Sequence, residues 1–128
     1  MLTHRAKVLI IEDDPDLSKM LKTRVALQGF DVENTEYGKT GLSQVFQSHP
    51  DLVILDLNLP DIDGYEVSFE LKKRYGVEAP AILMLTGKNR RADELKGFSR
   101  GADAYLTKPY DPEELIKTID FLLTSRFQ

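Results

Sequence analysis

Cysteine is absent from the 128 residues, which excludes disulfides, thiolate zinc sites and cysteine nucleophiles. Long apolar runs are also missing. The basic opening MLTHRAK is followed by only four strongly apolar residues, 8–11, too few for a signal peptide, and no stretch is long enough to span a bilayer. No membrane association and a cytoplasmic location are therefore expected. Positive charge is in deficit, with 17 Lys and Arg against 21 Asp and Glu, and no basic block stands out. Direct nucleic-acid binding by this domain is accordingly not expected. No repeat, low-complexity tract or linker interrupts the chain, so one domain over 1–128 is expected, with its core at about 7–125. A content of 41% hydrophobic and 30% charged residues suits a globular chain of that size.

Four short apolar runs punctuate the sequence, at 8–11, 52–55, 81–85 and, more weakly, 104–106. They are rich in branched residues and do not alternate with polar ones, as expected of parallel strands buried on both faces. Phe30 and Val32, after Gly29, suggest a fifth, shorter strand at an edge. Helical patterns fill the gaps. Asp14 reads as an N-cap and Pro15 as a first helical residue, with Leu17, Met20, Leu21 and Val25 on one face. Leu42, Val45 and Phe46 mark a second helix that stops near His49-Pro50. A third spans 65–75, with Val67 and Leu71 four apart, and ends at Gly76. A fourth lies around 90–100, carrying Leu95 and Phe98. In the fifth, Asp111 caps, Pro112 begins, Glu114 can complete the cap, and Leu115, Ile116, Ile119, Leu122 and Leu123 form the apolar stripe. Strands and helices alternate five times, which predicts a doubly wound α/β domain with a parallel sheet between helices.

In such a sheet functional groups gather beyond the carboxyl ends of the strands. The first run ends in Glu12-Asp13-Asp14, the third strand in Asp56, the fourth in Thr86 and the fifth in Thr107-Lys108. Each alone has an ordinary explanation: helix cap, strand-end threonine, solvated lysine. Together at one edge they need another. Two carboxylates ~4 Å apart repel by about 4 kcal/mol at an effective dielectric of ~20. Such a cluster takes up protons, is strained, or binds a cation. With no Cys and no nearby His, hard carboxylate oxygens point to Mg2+. A carboxylate can also attack phosphorus, with Lys108 and the Thr86 hydroxyl available to the phosphoryl oxygens.

The stretches VLIIEDD, LVILDLNLPDIDGYE, ILMLTGK and GADAYLTKPY resemble the receiver domain of two-component response regulators. The resemblance runs from Lys7 to about Ser125 and includes the spacing: 43 residues from Asp13 to Asp56, 30 from Asp56 to Thr86, and 52 from Asp56 to Lys108. It implies a flavodoxin-like, chemotaxis-regulator-like fold, with a five-stranded sheet of order 2-1-3-4-5 and five helices. By position, Asp56 matches the phosphoacceptor, Asp13 a direct metal ligand, and Glu12 a partner acting through water. Asn58 matches the residue whose backbone carbonyl completes the Mg2+ site. Thr86 matches the switch hydroxyl, Lys108 the basic partner, Lys108-Pro109 the cis peptide and Tyr105 the switch aromatic. Asp14 reads as a cap rather than a ligand, and Asp61 and Asp63 as turn residues. His4 and His49 read as bystanders.

The implied function is a phosphorylation-controlled switch rather than an enzyme, one that promotes only its own phosphorylation and dephosphorylation. A sensor histidine kinase or histidine phosphotransfer protein donates. The surface of the fourth helix, fifth strand and fifth helix then acts on a downstream protein or output domain. Glu94 and Thr118 depart from the winged-helix regulators' dimer pattern, while Arg90, Arg91, Lys96, Glu113, Glu114 and Asp120 leave room for a different phosphorylation-dependent homodimer. A dehalogenase-type hydrolase requires an aspartate where Asn58 stands, and room for a cap. Flavin binding meets an acidic rather than a phosphate-cradling loop after the first strand. A constitutive interaction module is the remaining alternative. Gly87 follows Thr86 where alanine is frequent in the family. Asn58 and Lys88 occupy positions that tune loss of the phosphoryl group. Replacing either is expected to change phosphoryl lifetime more than the rate of phosphorylation. Equal lifetimes in wild type and both variants would contradict this.

Overall fold

The computed structural model describes residues 5–87, 95–96, 99 and 101–126. Its strands are β1 (Lys7–Ile11), β2 (Asp31–Thr35), β3 (Leu52–Asp56), β4 (Ala81–Thr86) and β5 (Ala104–Thr107). They form one parallel sheet in the order β2-β1-β3-β4-β5, the flavodoxin-like doubly wound arrangement. The helices are α1 (Pro15–Ala26), α2 (Gly38–Ser48), α3 (Gly64–Tyr75) and a C-terminal helix (Pro112–Arg126), with a short 3-10 turn at Gly76–Glu78.

Every residue of β3 and β4 is buried, so the absence of alternation in their sequences reflects helices on both faces. The side chains still sort by parity. Val8, Ile10, Leu52 and Ile54 pack towards α1 and the C-terminal helix, which contribute Leu21, Val25, Leu115 and Ile119. Leu9, Ile11, Val53 and Leu55 pack the other way, with Val45 of α2 and Val67 and Leu71 of α3.

Four α-helices are present among the described residues where five are expected. The expected fourth, around 90–100, falls mostly outside them, as do Lys88, Arg90, Arg91, Glu94, Phe98 and His4. Two further expectations need correction. β2 has five residues, as many as β1, and begins at Asp31 rather than Phe30; it is an edge strand, but not a shortened one. Met20 and Phe46 are 47% and 65% exposed rather than core. Each helix needs only a narrow stripe against the sheet, which Leu21 with Val25, and Val45 with the partly buried Leu42, supply.

The ends of the helices show why they stop where they do. The Asp14 carboxylate accepts hydrogen bonds from the Asp16 and Leu17 N–H groups, 3.0 and 3.3 Å away, ahead of Pro15. α2 closes on His49 in the left-handed region (φ 49°), and α3 on Gly76 (φ 56°).

Gly64 fixes the turn from β3 into α3. A Cβ there would lie 2.5 Å from the Asp56 carbonyl oxygen and 2.8 Å from the Leu57 Cα, both backbone atoms with nowhere to move. Gly64→Ala is therefore expected to destabilise the fold by roughly 1–3 kcal/mol, the usual range for overpacking. Urea denaturation checks this, and an unchanged midpoint would contradict the packing argument.

Candidate functional site

Parallel pairing brings the ends of β1, β3, β4 and β5 to one edge of the sheet, and the polar residues expected there meet at that edge. Ile11 stands beside Leu55, Asp56 beside Leu85, and Thr86 beside Thr107. Glu12, the residue after β1, is still held by its N–H to the Thr35 carbonyl at 3.0 Å. Lys108 follows β5 and donates its N–H to the Thr86 carbonyl at 2.7 Å. The peptide between Lys108 and Pro109 is cis, as expected.

From that anchored backbone the Lys108 Nζ reaches back across the strand tips. It donates to Glu12 Oε1 at 2.9 Å and to Asp56 Oδ1 at 3.1 Å. Glu12 and Asp56 are almost fully buried, and the ammonium is partly open to solvent. The second Glu12 oxygen accepts from the Asp14 N–H at 3.2 Å. Asp13 is exposed beside them. One carboxylate oxygen from each of Glu12, Asp13 and Asp56 falls within 4.8 Å of the others, a cluster able to hold a metal ion.

Of these three carboxylates, the Lys108 ammonium bridges two. Burial, with the nearby Asp56 charge, raises the Glu12 pKa to about 7 against the opposing hydrogen bond from Lys108. Burial works against the charge on Lys108, but the Glu12 hydrogen bond and the Asp56 charge outweigh it and raise the lysine pKa. Among the described residues, the carboxylates are held together without enough positive charge to balance them. A divalent cation bound by oxygen atoms fits that deficit.

The other expected residues occupy distinct places. Thr86 is buried at the tip of β4. Tyr105 is buried in β5 within the cluster that includes Met84 and Tyr65. Asn58 is exposed and lines an open pocket of about 740 Å³ with Asp13, Asp61, Asp63 and Tyr65. Lys96 enters the same pocket and sits over the Tyr65 ring, 4.6 Å from its centre, an interaction not foreseen from sequence.

Two aspartates expected to be turn residues do more than turn the chain. Asp63 caps α3 through the Tyr65 N–H at 2.9 Å. Asp61 accepts from Gly38 and Lys39, at 2.8 and 2.9 Å, the first two N–H groups of α2. Desolvation opposes ionisation of Asp61, but the backbone donors of Lys39 and Gly38 prevail and lower its pKa.

A doubly wound sheet with a lysine-bridged acidic cluster beyond its strand ends belongs to a class of α/β proteins that bind ligands at that edge. The family model for the response regulator receiver domain matches residues 8–120, and the chain belongs to that family, the receiver domains of two-component signalling. Among curated relatives, the DNA-binding dual master transcriptional regulator RpaA of Synechocystis is 38% identical over 91% of this chain and 48% of its own length. The DNA-binding response regulator MtrA of Mycolicibacterium smegmatis is 39% identical over 93% of this chain and 51% of its own. The chain thus spans about half the length of these relatives. Among solved structures, the chemotaxis protein CheY4 of Vibrio cholerae superposes with a TM-score of 0.87 at 29% identity, covering 94% of this chain and all of that one. A response regulator from Chloroflexus aurantiacus gives 0.89 at 31% identity, covering 94% and 99%. No helix among the described residues is long and apolar enough to cross a membrane.

A carboxyl whose pKa is higher in the folded than in the unfolded state stabilises the fold fully below its unfolded value. That contribution is lost as pH rises through the folded value. For Glu12 the window runs from 4.5 to about 7. Metal-free protein, kept so with chelator, is expected to lose roughly 1–3 kcal/mol between pH 5 and pH 8. Glu12→Gln should flatten that slope. Lys108 adds nothing in this window, because a raised lysine pKa matters only above 10.5. Denaturation at both pH values checks the prediction, and an equal slope in the variant would contradict it.

Proposed function

We propose that Asp56 is the phosphoacceptor of this receiver domain. The observation that carries the proposal is the Lys108 ammonium held between Asp56 and Glu12, with Asp13 within reach, at the edge where the strands end. An Asp56 oxygen attacks the phosphorus of a phosphohistidine on a sensor histidine kinase or histidine phosphotransfer protein. The P–O bond forms as the P–N bond breaks, and the electron pair leaves with the imidazole nitrogen. Asp13, Asp56 and the Asn58 backbone carbonyl would hold Mg2+, with Glu12 acting through water. The ion supplies charge neutralisation for the phosphoryl oxygens. Beyond this transfer and the later hydrolysis of the aspartyl phosphate, in which water takes the phosphoryl group and the Asp56 carboxylate is restored, the domain catalyses nothing.

The phosphoryl group carries about −1.5 to −2 charges, and because it replaces the single charge of the Asp56 carboxylate, the net gain is about one negative charge, now spread over three outer oxygens. Lys108 already lies within hydrogen-bond distance of Asp56 and follows the gained charge without crossing solvent. Thr86, whose carbonyl holds the Lys108 N–H, is drawn in with it. Tyr105 lies on β5 next to Met84 of β4, so movement at these strand tips reaches the core beneath it. The outward readout is the face of β5, the C-terminal helix and the helical segment expected around 90–100, as a shift between pre-existing states. Its recipient is a downstream protein or an output domain. A phosphorylation-dependent homodimer would pair the exposed Glu113, Glu114 and Asp120 with Lys96, and with Arg90 and Arg91, which lie outside the described residues. The domain occupies 1–128 and works in the cytoplasm, without contacting nucleic acid itself.

Incubation with Mg2+ and a small-molecule phosphodonor tests the assignment by intact mass. Wild-type protein should gain one phosphoryl group as an acid-stable, base-labile adduct that chelator suppresses. Asp56→Asn should gain none. An adduct of equal yield in Asp56→Asn would overturn the assignment, and turnover of the donor without an adduct would favour a hydrolase.

A further inference from the structure

The loop between β3 and α3 carries Asn58, and three of its polar fastenings bear on where that residue stands. The Gly64 N–H donates to the Leu57 carbonyl at 3.1 Å and closes the loop on itself. Asp63 caps α3, the helix that follows the loop. The third fastening is of a different kind, because Asp61 reaches a helix that precedes it by more than twenty residues. α2 begins after Tyr37, whose side chain makes no capping hydrogen bond. Both oxygens of Asp61 occupy the place left open, one on the Gly38 N–H and one on the Lys39 N–H. Ile62 packs beside this contact so closely that a Cβ on Gly38 would lie 2.7 Å from its Cγ1.

The first two fastenings fix the ends of the loop relative to β3 and α3. Between those ends Leu59 packs on the core, but neither fastening ties the loop to α2. The Asp61 contact supplies that tie, to a helix packed on β1, the strand that leads into Glu12 and Asp13. We infer that Asp61 is a positioning residue for the cation site: by capping α2 from the β3–α3 loop, it sets where the Asn58 carbonyl stands relative to Asp13 and Asp56. This rests on the proposed Mg2+ site. Residues that orient ligands typically change metal affinity by about 10–100-fold when removed, without touching the ion.

A helix cap would also be lost with Asp61, so the test has to separate capping from positioning. Tyr37 allows that, because its extended backbone (φ −122°, ψ 139°) suits an N-cap residue. Tyr37→Asp would cap α2 from within the helix and return the lost negative charge nearby, yet leave the loop untied. Mg2+ affinity is read by NMR titration of the folded protein at 25 °C, and Tm by thermal denaturation in chelator. Asp61→Ala is expected to lower Tm and weaken Mg2+ roughly tenfold. Adding Tyr37→Asp should restore Tm while Mg2+ binding stays weak. Full recovery of affinity in the double variant would reduce Asp61 to a cap, and unchanged affinity in Asp61→Ala would overturn the inference directly. Asp13→Asn is the separate control. If it binds Mg2+ as well as wild type does, the cation site itself is wrong and the inference falls with it; if it weakens binding while Asp61→Ala does not, only the inference falls.

Discussion

The ion-paired bridge of Lys108 between Glu12 and Asp56 is the interaction on which the rest of this molecule turns. Buried carboxylates are costly unless paired, and a single ammonium shared by two of them pairs neither completely. The bridge spans 96 residues of sequence on one side and 52 on the other, so it exists only if β1, β3 and β5 are all in register. The sheet core makes that register obligatory. A one-residue slip of β3 would exchange the Ile54 face for the Leu55 face and carry Asp56 away from the lysine. Fold and site are therefore one constraint, seen once as packing and once as charge.

That coupling explains why so much was legible in the sequence. Unbroken apolar runs can be satisfied only by strands covered on both faces, and alternation with helices then forces parallel order. Asp14-Pro15 and Gly76 announce helix ends because their reasons are local: a side-chain acceptor, a fixed φ, a permissive backbone. Glu12, Asp13, Asp56 and Lys108 were legible for the opposite reason. A charge placed at the end of a buried run has no good local explanation, and four such charges at one edge require one another.

Features with remote partners were not legible. Asp61 in Pro60-Asp61-Ile62-Asp63-Gly64 has every mark of a turn residue, and nothing within that stretch shows that its carboxylate caps α2. The one available signal lay elsewhere, in the absence of a capping side chain at Tyr37. Met20 and Phe46 misled because helical spacing shows that two residues share a face, but not how wide a stripe the sheet covers. Lys72 illustrates the same limit. It looks like one more surface cation, yet it pairs with Asp103 at 3.3 Å, and Asp103 in turn accepts from the Ile82 N–H. α3 is thereby fastened to the residue that leads into β5.

These remote fastenings share a direction. Asp61 ties the β3–α3 loop to α2, and Lys72 with Asp103 ties α3 to the entrance of β5. Both lie on the α2 and α3 side, the Asp61 contact at the strand-tip edge that carries Asn58 and the Lys72–Asp103 pair in the last turn of α3. The opposite flank is held differently at the strand tips, by the Lys108 N–H on the Thr86 carbonyl and by Lys108 itself on Glu12 and Asp56. If Asp56 takes the phosphoryl group as proposed, the added charge competes directly for Lys108 but has no such claim on Asp61 or Asp103. On that proposal one flank stays fixed while the other is free to rearrange, and the change is directed towards β5, where among the described residues a fastening group and the proposed acceptor coincide.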